Sequence, residues 1–433
     1  MCTFITKQFD SKNSNITIFE TILENNKIRN KETDILFREL EIFQFIPKIS
    51  LFQNSSFIIF KLIKSFNIKN SLSIICNFFK KKFIIFYLLK KKINYQIYVK
   101  KLLFLSYTHC YTLNSLIVPH SFLENQHITI KKYGKLKFLK YSHFDIIKKL
   151  KIVDLKSGRA PIGDRSYFLI KEGVELNLSL INYGFNFLSF FNYLKIWSPC
   201  FVKKSLMKKC VQLNDFREQL YKIKENYTDK FLIATSEQSL CAKIQNTNHN
   251  LSHLPKKLVC YSECFRKEVG SHGKDTKGIF RVHQFEKIEQ FIISEFKGFD
   301  SMINFLNLLE ITEKFYKVFQ LPYQIILLST SDINFVSFLK FDIEVWFPGS
   351  KTFRELVSCS NCKNFQSLKL NIDSVFKKKN ITPVNTFNST LIATERFICN
   401  ILENYQLPLG FKIPKNLTQG LRGLELINYK IFF

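Results

Sequence analysis

The side chains best suited to bind anions in this 433-residue chain are its few arginines, since only ten of the 64 basic residues are arginine. A guanidinium offers a planar fork of donors that a lysine cannot replace, so an arginine kept in a lysine-rich chain marks a place where geometry matters. Arg266, Arg281, Arg354 and Arg396 all lie in glycine-containing, mixed-charge segments of the second half. The sequence therefore indicates an anion-binding site in that half.

Two segments near these arginines have the pattern of antiparallel strands. Lys257–Phe265 and Ile279–Glu295 alternate apolar and polar residues, as strands with one buried face do. If the first strand continues, its two-residue period places Arg266 and Glu268 on one face. We therefore predict a hairpin that presents an arginine and a carboxylate side by side.

The second strand adds a cation and an aromatic ring. Arg281 shares a predicted strand face with His283, close to Phe285. Arginines neutralise phosphate through bidentate hydrogen bonds, Glu268 would accept from an exocyclic amine, and an aromatic ring stacks on a base. Each residue alone would equally fit a surface salt bridge, but their convergence in one hairpin with Arg266 favours a nucleotide site.

The glycine-rich loop between the two segments does not fit a phosphate-binding P-loop. That loop requires four residues between its first glycine and the Gly-Lys pair, and then Ser or Thr. Here two residues separate Gly270 from Gly273, and Asp275 stands where the hydroxyl is needed. Cys359 and Cys362 have zinc-ligand spacing, but without a second pair they favour two core cysteines.

The first third of the chain has a different character. The formal net charge is +29, which indicates a polyanionic partner or an anionic surface. Residues 42–123 contain 12 lysines and no acidic residue, and residues 1–133 contain no glycine. We predict a helical arm that contacts nucleic-acid phosphates. A codon-biased sequence and a membrane-surface helix remain the alternatives.

Cysteine usage and hydropathy bear on the compartment. Eleven cysteines without framework spacing indicate a reducing environment. The start of the chain lacks the apolar core of a signal peptide. The apolar runs between residues 57 and 105 are interrupted by lysines well short of the roughly 18 residues that a membrane span needs. We expect a soluble protein in the cytoplasm.

The second half mixes strands with amphipathic helices, for which Gly298–Phe319 and Ala393–Tyr405 have the pattern. Hairpins mixed with helices in this way indicate the α+β class rather than a doubly wound parallel sheet.

Several segments, in chain order, resemble the seryl-tRNA synthetase family of the eukaryotic cytosolic kind. Cys264–Phe291 resembles its motif 2, and the similarity extends over about Asn114–Leu417. The other matching segments are Pro199 of motif 1, Leu232–Gln238 of the serine-binding segment, Asp342–Gly349, Phe353–Cys362, and Asn388–Leu391 with Ala393–Arg396 of motif 3.

The resemblance implies a fold, a reaction and partners. It implies a class II synthetase with an antiparallel β-sheet flanked by helices, in which residues 114–433 form the catalytic domain and residues 1–113 bind tRNA. It also implies a homodimer that joins L-serine to tRNA(Ser) with ATP and Mg²⁺, without a membrane. Charging of tRNA(Sec) is left open. A non-catalytic tRNA-binding paralogue is the alternative, but such paralogues usually lose the ATP-binding arginines or the metal carboxylate.

The resemblance also implies roles for residues that bind ATP. Arg266 and Arg396 would be catalytic, with Arg266 on the α-phosphate and Arg396 stacking with Phe285 around the adenine. Arg281 would lie near the terminal phosphates. Glu355 and Ser358 would hold Mg²⁺. The implied ATP-binding set is Arg266, Lys267, Glu268, Arg281, Val282, His283, Gln284, Phe285, Glu355, Leu356, Val357, Ser358 and Arg396.

A second implied set would line the amino-acid pocket, where hydrogen-bond acceptors can pair a buried ammonium and a hydroxyl. Its members are Thr235, Ser236, Glu237, Arg266, Glu289, Asn388 and Thr390. The chain departs from the family at Val269, where alanine is usual, and at Glu395, where a neutral residue is common. The arm departs further, because the family's antiparallel coiled coil predicts heptads that residues 1–113 do not show.

Overall fold

The computed structural model describes residues 127–211, 218–224, 229–269, 277–296, 300–329, 332–334, 336–376 and 380–430. These residues belong to one compact unit. The predicted arm at residues 1–113 lies outside the described residues.

The described residues form eighteen strands and eight α-helices, with two short 3₁₀ segments at Leu251–His253 and Lys415–Leu421. The strands are β1 (Ile128–Tyr133), β2 (Val153–Asp154), β3 (Phe168–Leu169), β4 (Leu194–Trp197), β5 (Phe201–Lys203), β6 (Lys222–Ile223), β7 (Lys230–Leu232), β8 (Asn248–Asn250), β9 (Lys256–Phe265), β10 (Gln284–Glu295), β11 (Tyr323–Leu327), β12 (Leu339–Phe347), β13 (Thr352–Asn361), β14 (Asp373–Phe376), β15 (Asn380–Ala393), β16 (Gln406–Leu407), β17 (Gly410–Lys412) and β18 (Leu426–Asn428). The helices are α1 (His143–Leu150), α2 (Leu155–Ile162), α3 (Glu172–Ser189), α4 (Lys204–Cys210), α5 (Ser236–Ile244), α6 (Asp300–Val318), α7 (Phe365–Leu370) and α8 (Thr394–Asn404).

One large sheet organises this unit. Eight of its ten strands follow the order β1-β11-β12-β13-β15-β10-β9-β4, and β14 and β8 extend it beside β15. All neighbours are antiparallel except β4 with β9 and β14 with β8. The predicted α+β class with an antiparallel sheet is confirmed.

Helices cover one face of this sheet. Gln290 of β10 donates from Nε2 to the Thr312 hydroxyl of α6 at 2.6 Å, while its neighbour Glu289 faces away from the helices because side chains alternate along a strand. Helix α3 packs so closely that a Cβ on Gly184 would lie 2.7 Å from the Ile288 side chain. The helix layer thus fixes the strands from behind and leaves their other face for a site.

An aromatic cluster holds the helices together. The Phe315 ring of α6, the Phe319 ring that directly follows this helix and the Phe397 ring of α8 have centroids 5.0 to 5.7 Å apart, and all three side chains are fully buried. Burial of each such ring contributes about 1.5–3 kcal/mol. Since α8 follows β15 directly, this cluster also anchors the start of α8, where Arg396 lies.

The predicted helices agree with the structure, but the predicted hairpin is wrong in one part. Strand β9 matches its predicted segment, while β10 begins only at Gln284 rather than Ile279. Arg266 and Glu268 follow the end of β9, and Glu268 has a φ of 51° that breaks the strand's alternation. Arg281 and His283 also lie outside a strand, so the shared strand faces predicted for both pairs do not exist.

Candidate active site

A cavity of about 270 Å³ opens on the sheet face opposite the helices. Its wall comes from β10, β13 and β15, from the starts of α5 and α8, and from the turn between β9 and β10. The predicted site residues that line it are Thr235, Glu237, Arg266, Glu268, Arg281, Val282, Phe285, Glu289, Glu355, Leu356, Ser358, Asn388, Thr390 and Arg396.

Five of the predicted residues are not part of the cavity wall. Ser236 is buried and shares a 2.7 Å hydrogen bond with Ser262, and Val357 is buried in the sheet. The Lys267 ammonium lies over the Tyr221 ring. The hydroxyl of the same Tyr221 lies 2.9 Å from His283 Nδ1. Gln284 Nε2 donates to Glu263 Oε2 at 3.1 Å.

The turn after β9 forms one end of the cavity. The Arg266 guanidinium lies over the Phe285 ring, 5.2 Å from its centroid, and donates to the Ala234 carbonyl at 3.3 Å. Arg281 Nη1 donates to Glu268 Oε2 at 3.3 Å. The left-handed Glu268 backbone is held by Arg165, whose Nη1 donates to the Glu268 carbonyl at 2.6 Å. This end combines two guanidinium groups, a carboxylate and an aromatic ring.

Arg396 and Glu355 meet across the cavity. Arg396 Nη1 donates to the Glu355 carbonyl at 3.3 Å and lies 3.8 Å from Glu355 Oε2. Burial alone would raise the pKa of Glu355, but the charges of Arg396 and Lys340, followed by those of Arg266 and Arg281, hold it below its ordinary value. The carboxylate is therefore ionised, and 47% of the side chain stays exposed.

A β-bulge explains how Glu355 and Ser358 line the same cavity. Residues three apart on a regular strand face opposite sides. In the pairing of β12 with β13, Ile343 lies opposite Val357 and Glu344 opposite Glu355, so Leu356 is an extra residue. Such a bulge turns the following side chains, and it brings the carboxylate and the hydroxyl to one face.

Two acidic residues sit deep in the other end of the cavity. Glu237 Oε1 accepts from Gln366 Nε2 at 2.5 Å and lies 3.9 Å from Cys362 Sγ. Burial, followed by the charge of Glu289, raises the pKa of Glu237 to about 7. The Thr390 hydroxyl lies 3.4 Å from Glu289 Oε2. This end can accept several hydrogen bonds and holds negative charge, as an ammonium requires.

Phe280, Lys287 and Lys340 are among the cavity-wall residues that sequence reasoning missed. The Phe280 ring lies beneath the guanidinium groups of Arg354 and Arg396, with 4.8 and 5.2 Å to its centroid. Lys287 lies between Phe285 and Glu289 at the same two-residue spacing, and that spacing was a signal that could have identified it. Lys340 comes from a separate strand, and nothing in the local sequence pointed to it.

Glu395 departs from the family pattern, yet it also lines the cavity. It accepts from the Tyr167 hydroxyl at 2.6 Å and from the Glu286 backbone N–H at 3.0 Å. Burial raises the pKa of Glu395 to about 7. Because Glu286 follows Phe285, the carboxyl group supports the strand segment that carries the cavity's aromatic ring.

Within the described residues, no group of three or more His, Cys, Asp or Glu side chains could hold a metal ion by itself. None of the helices in the described part of the chain is long and apolar enough to cross a membrane.

The antiparallel sheet and this cavity define a class II aminoacyl-tRNA synthetase core, and the profile of the tRNA synthetase class II core domain (G, H, P, S and T) matches residues 218–405. The serine–tRNA ligase of Helianthus annuus is 42% identical over 75% of this chain and 76% of its own length. The cytoplasmic serine–tRNA ligase of Arabidopsis thaliana is 44% identical over 72% of this chain and 71% of its own length. The chain belongs to the serine–tRNA ligase family, which confirms the resemblance.

Two solved structures of serine–tRNA ligases are similar to the structure of this chain. The cytoplasmic serine–tRNA ligase of Naegleria fowleri in complex with AMP has a TM-score of 0.69 at 37% identity, covering 76% of this chain and 72% of the other. The Pyrococcus horikoshii seryl-tRNA synthetase complexed with ATP has a TM-score of 0.69 at 28% identity, covering 96% and 92%. The predicted class II architecture is thereby confirmed.

Proposed function

We infer that this chain is a serine–tRNA ligase that activates L-serine with ATP and transfers the seryl group to tRNA(Ser). The observation that carries this inference is a single cavity with two unlike ends. One end holds Arg266 and Phe285 for a nucleotide, and the other holds Glu237 and Glu289 for an ammonium. A non-catalytic paralogue would have no use for this pairing, and the chain keeps Arg266, Arg396 and Glu355.

The two ends suit an in-line transfer at the α-phosphate. A serine carboxylate oxygen would attack the α-phosphorus, and the bond to the bridging oxygen would break, so that pyrophosphate leaves with the electron pair. Positioning and charge stabilisation account for most catalysis of this kind. Arg266, placed between Ala234 and the Phe285 ring, would hold the α-phosphate, and Arg281 and Arg396 would neutralise the remaining charge.

Glu355 and Ser358 fit a magnesium ion bound with ATP. Mg²⁺ prefers oxygen ligands and usually takes only one or two carboxylates from the protein beside water and phosphate. The bulge at Leu356 brings an ionised carboxylate and a hydroxyl to the cavity face. A bound ion would neutralise charge on the phosphates. We propose these two residues as its protein ligands.

The acidic end would select serine by its polar groups. Glu237, Glu289, Thr235, Asn388 and Thr390 line this end of the cavity. Alanine would leave the hydroxyl-binding groups unpaired, and sites that hydrogen-bond a substrate hydroxyl reject analogues without it most strongly. Threonine keeps the hydroxyl, so its rejection must depend on steric fit.

Amino-acid-dependent pyrophosphate exchange across the twenty amino acids tests the function. We expect exchange with serine alone, because alanine lacks the hydroxyl that the pocket pairs and the additional methyl group of threonine is rejected by steric fit. Exchange with another amino acid, or none with serine, would contradict the proposed function. Aminoacylation of separate tRNA(Ser) and tRNA(Sec) transcripts then shows whether the second tRNA is also a substrate.

We propose that the chain acts as a homodimer through the edge of the sheet at β4. This edge strand pairs only with β9 among the described strands. Trp197 is 80% exposed and Phe190 is 84% exposed, and Leu194 and Phe201 are exposed beside them. An exposed apolar edge strand is prone to pair with another chain. Pro199, matched to motif 1, follows the same strand.

The substitution Trp197→Glu should convert the dimer into a monomer, because it places a charge within the apolar edge. Light scattering after size-exclusion chromatography measures the mass. Phe138→Glu is the matched control, since Phe138 is 65% exposed and follows β1, at the opposite edge of the sheet. A dimer that survives Trp197→Glu but not Phe138→Glu would show that the interface is elsewhere.

We propose a cytoplasmic location. The cytoplasmic serine–tRNA ligases of Arabidopsis thaliana and Saccharomyces cerevisiae support this proposal. Fractionation of cells that express a tagged full-length chain tests this proposal, and recovery in an organelle or membrane fraction would contradict it.

A further inference from the structure

A lysine is buried at the acidic end of the cavity. Phe285, Lys287 and Glu289 alternate along β10, so all three side chains face the cavity. Only 6% of the Lys287 side chain is exposed. Its ammonium nitrogen lies 2.5 Å from Glu289 Oε2 and 2.6 Å from Thr235 Oγ1. Both partners belong to the proposed serine pocket.

The charges in this pocket explain why a lysine is useful there. Glu289 is buried and Glu237 is half-buried beside it, and two carboxylates that share such a site oppose each other's ionisation. The ammonium of Lys287 cancels one of the two charges. With both acids ionised, the pocket then carries one net negative charge, which matches the single ammonium of an amino acid.

The hydrogen bonds of Lys287 also restrict which atoms are available to a substrate. Glu289 Oε2 and the Thr235 hydroxyl are held by the same ammonium, while Thr235 also caps the start of α5 by accepting from the Glu237 N–H at 3.4 Å. The lysine therefore connects β10 to α5, the two elements that carry the pocket's two carboxylates. Its removal would free both side chains to move.

We propose that Lys287 is a positioning residue for the amino-acid substrate, which fixes Glu289 and Thr235 and leaves one net negative charge for the substrate's ammonium. This proposal rests on the proposed function, since it takes the acidic end as the serine pocket. It adds a residue whose effect should be limited to serine, because its ammonium is held at the end of the cavity away from Arg281 and Glu268.

The pH dependence of serine use provides a readout that a purely structural role would not change. Burial, then Glu289, raises the pKa of Glu237 to about 7, while Lys287 lowers it. The other groups that face Glu237 are Gln366 of α7, Cys362 after β13 and Cys241 of α5. Since the ionised acid binds the ammonium, kcat/KM for serine should rise with pH through about 7. Without Lys287 the midpoint should move upward.

The test uses the full-length enzyme and its Lys287→Met variant. Serine-dependent pyrophosphate exchange is measured from pH 6 to 9 at saturating ATP, and the KM for ATP is measured separately. We expect kcat/KM for serine to fall by roughly 10- to 100-fold at neutral pH, the scale of removing one charged hydrogen bond. The pH midpoint should rise, and the KM for ATP should change little.

Lys131→Met is the matched control. Lys131 also pairs with a buried carboxylate, 2.7 Å from Glu313, but it lies outside the cavity, so its replacement should leave the KM for serine and the pH midpoint unchanged. Lys287→Arg keeps the charge and should keep the midpoint near that of the unmodified enzyme. If Lys287→Met does not fold, Lys287→Gln provides the same neutral test with a retained hydrogen-bond donor.

The outcomes distinguish a failure of the role proposed for Lys287 from a failure of the proposed serine–tRNA ligase function. An unmoved midpoint and an unchanged KM for serine in Lys287→Met would overturn the role of Lys287 and leave the function standing. A lower KM for serine would also overturn it, since the lysine would then block the pocket. No serine-dependent exchange by the unmodified enzyme would instead count against the proposed function itself.

Discussion

Replacing Arg266 by lysine should lower the rate of seryl-adenylate formation by roughly 10²- to 10³-fold, the scale of losing one preorganised donor to a developing charge. The change keeps the positive charge but removes the planar fork that can hold two phosphate oxygens. It also removes the guanidinium face that packs 5.2 Å from the Phe285 ring. The measurement is serine-dependent pyrophosphate exchange, with kcat and KM determined separately for ATP and serine.

Arg422→Lys is the matched control for this substitution. Arg422 is an exposed arginine that pairs with Glu175 at 2.8 Å and does not line the cavity, so its exchange for lysine should be nearly silent. The effect at Arg266 should appear mainly in kcat if the fork acts on the transition state rather than on bound ATP. Equal behaviour of the two variants would contradict the proposed role of Arg266.

The chemistry of the site was accessible from the sequence where residues that act together lie close in the chain. Arg266, Glu268, Arg281 and Phe285 fall within twenty residues, and the rarity of arginine made them visible. All four residues line the cavity, although β10 begins at Gln284 and therefore does not include Arg281 or His283. The chemistry of the cavity depends on the positions of the side-chain ends. A turn in which Glu268 has a left-handed backbone can place these groups at the cavity as well as a strand could.

Features that depend on the register between paired strands were not predictable from the local sequence pattern. The extra residue Leu356 follows from how β13 pairs with β12, and without it Glu355 and Ser358 would face opposite sides. A second irregularity places Leu391 between the partners of Ile288 and Glu289. Only the family resemblance had joined these residues in one site.

The buried partners of Glu237 could not be predicted from the sequence either. Gln366 and Cys362 approach Glu237 from more than 120 residues away along the chain. Their contacts exist because α7 packs beside β15, a consequence of the whole sheet. Hydropathy identifies such residues as buried, but it does not say which acid they will meet. The unusual pKa of Glu237 is therefore a property of the fold.

Removing the lysine-rich region should separate the two steps of the reaction, because every proposed ATP and serine ligand lies between Thr235 and Arg396. We propose that residues 1–113 form a tRNA-binding arm and residues 114–433 the catalytic domain. A chain that begins at Asn114 should still make seryl-adenylate from serine and ATP. It should lose most aminoacylation of tRNA, because the truncation removes the 12 lysines of residues 42–123 and with them their contacts to tRNA phosphates.

Salt dependence distinguishes phosphate binding from codon bias in this region. Each phosphate that a lysine neutralises releases condensed counterions, so tRNA affinity should fall steeply with salt for the full chain. Truncation should flatten the logarithmic slope by roughly 0.7–0.9 for each phosphate that is no longer bound. The experiment measures tRNA affinity against salt for both chains. Equal slopes would mean that the lysines do not touch tRNA and would remove the basis for the arm. Failure of pyrophosphate exchange in the shorter chain would instead show that the catalytic domain needs residues before Asn114, because the full chain carries the same cavity and differs only in that region.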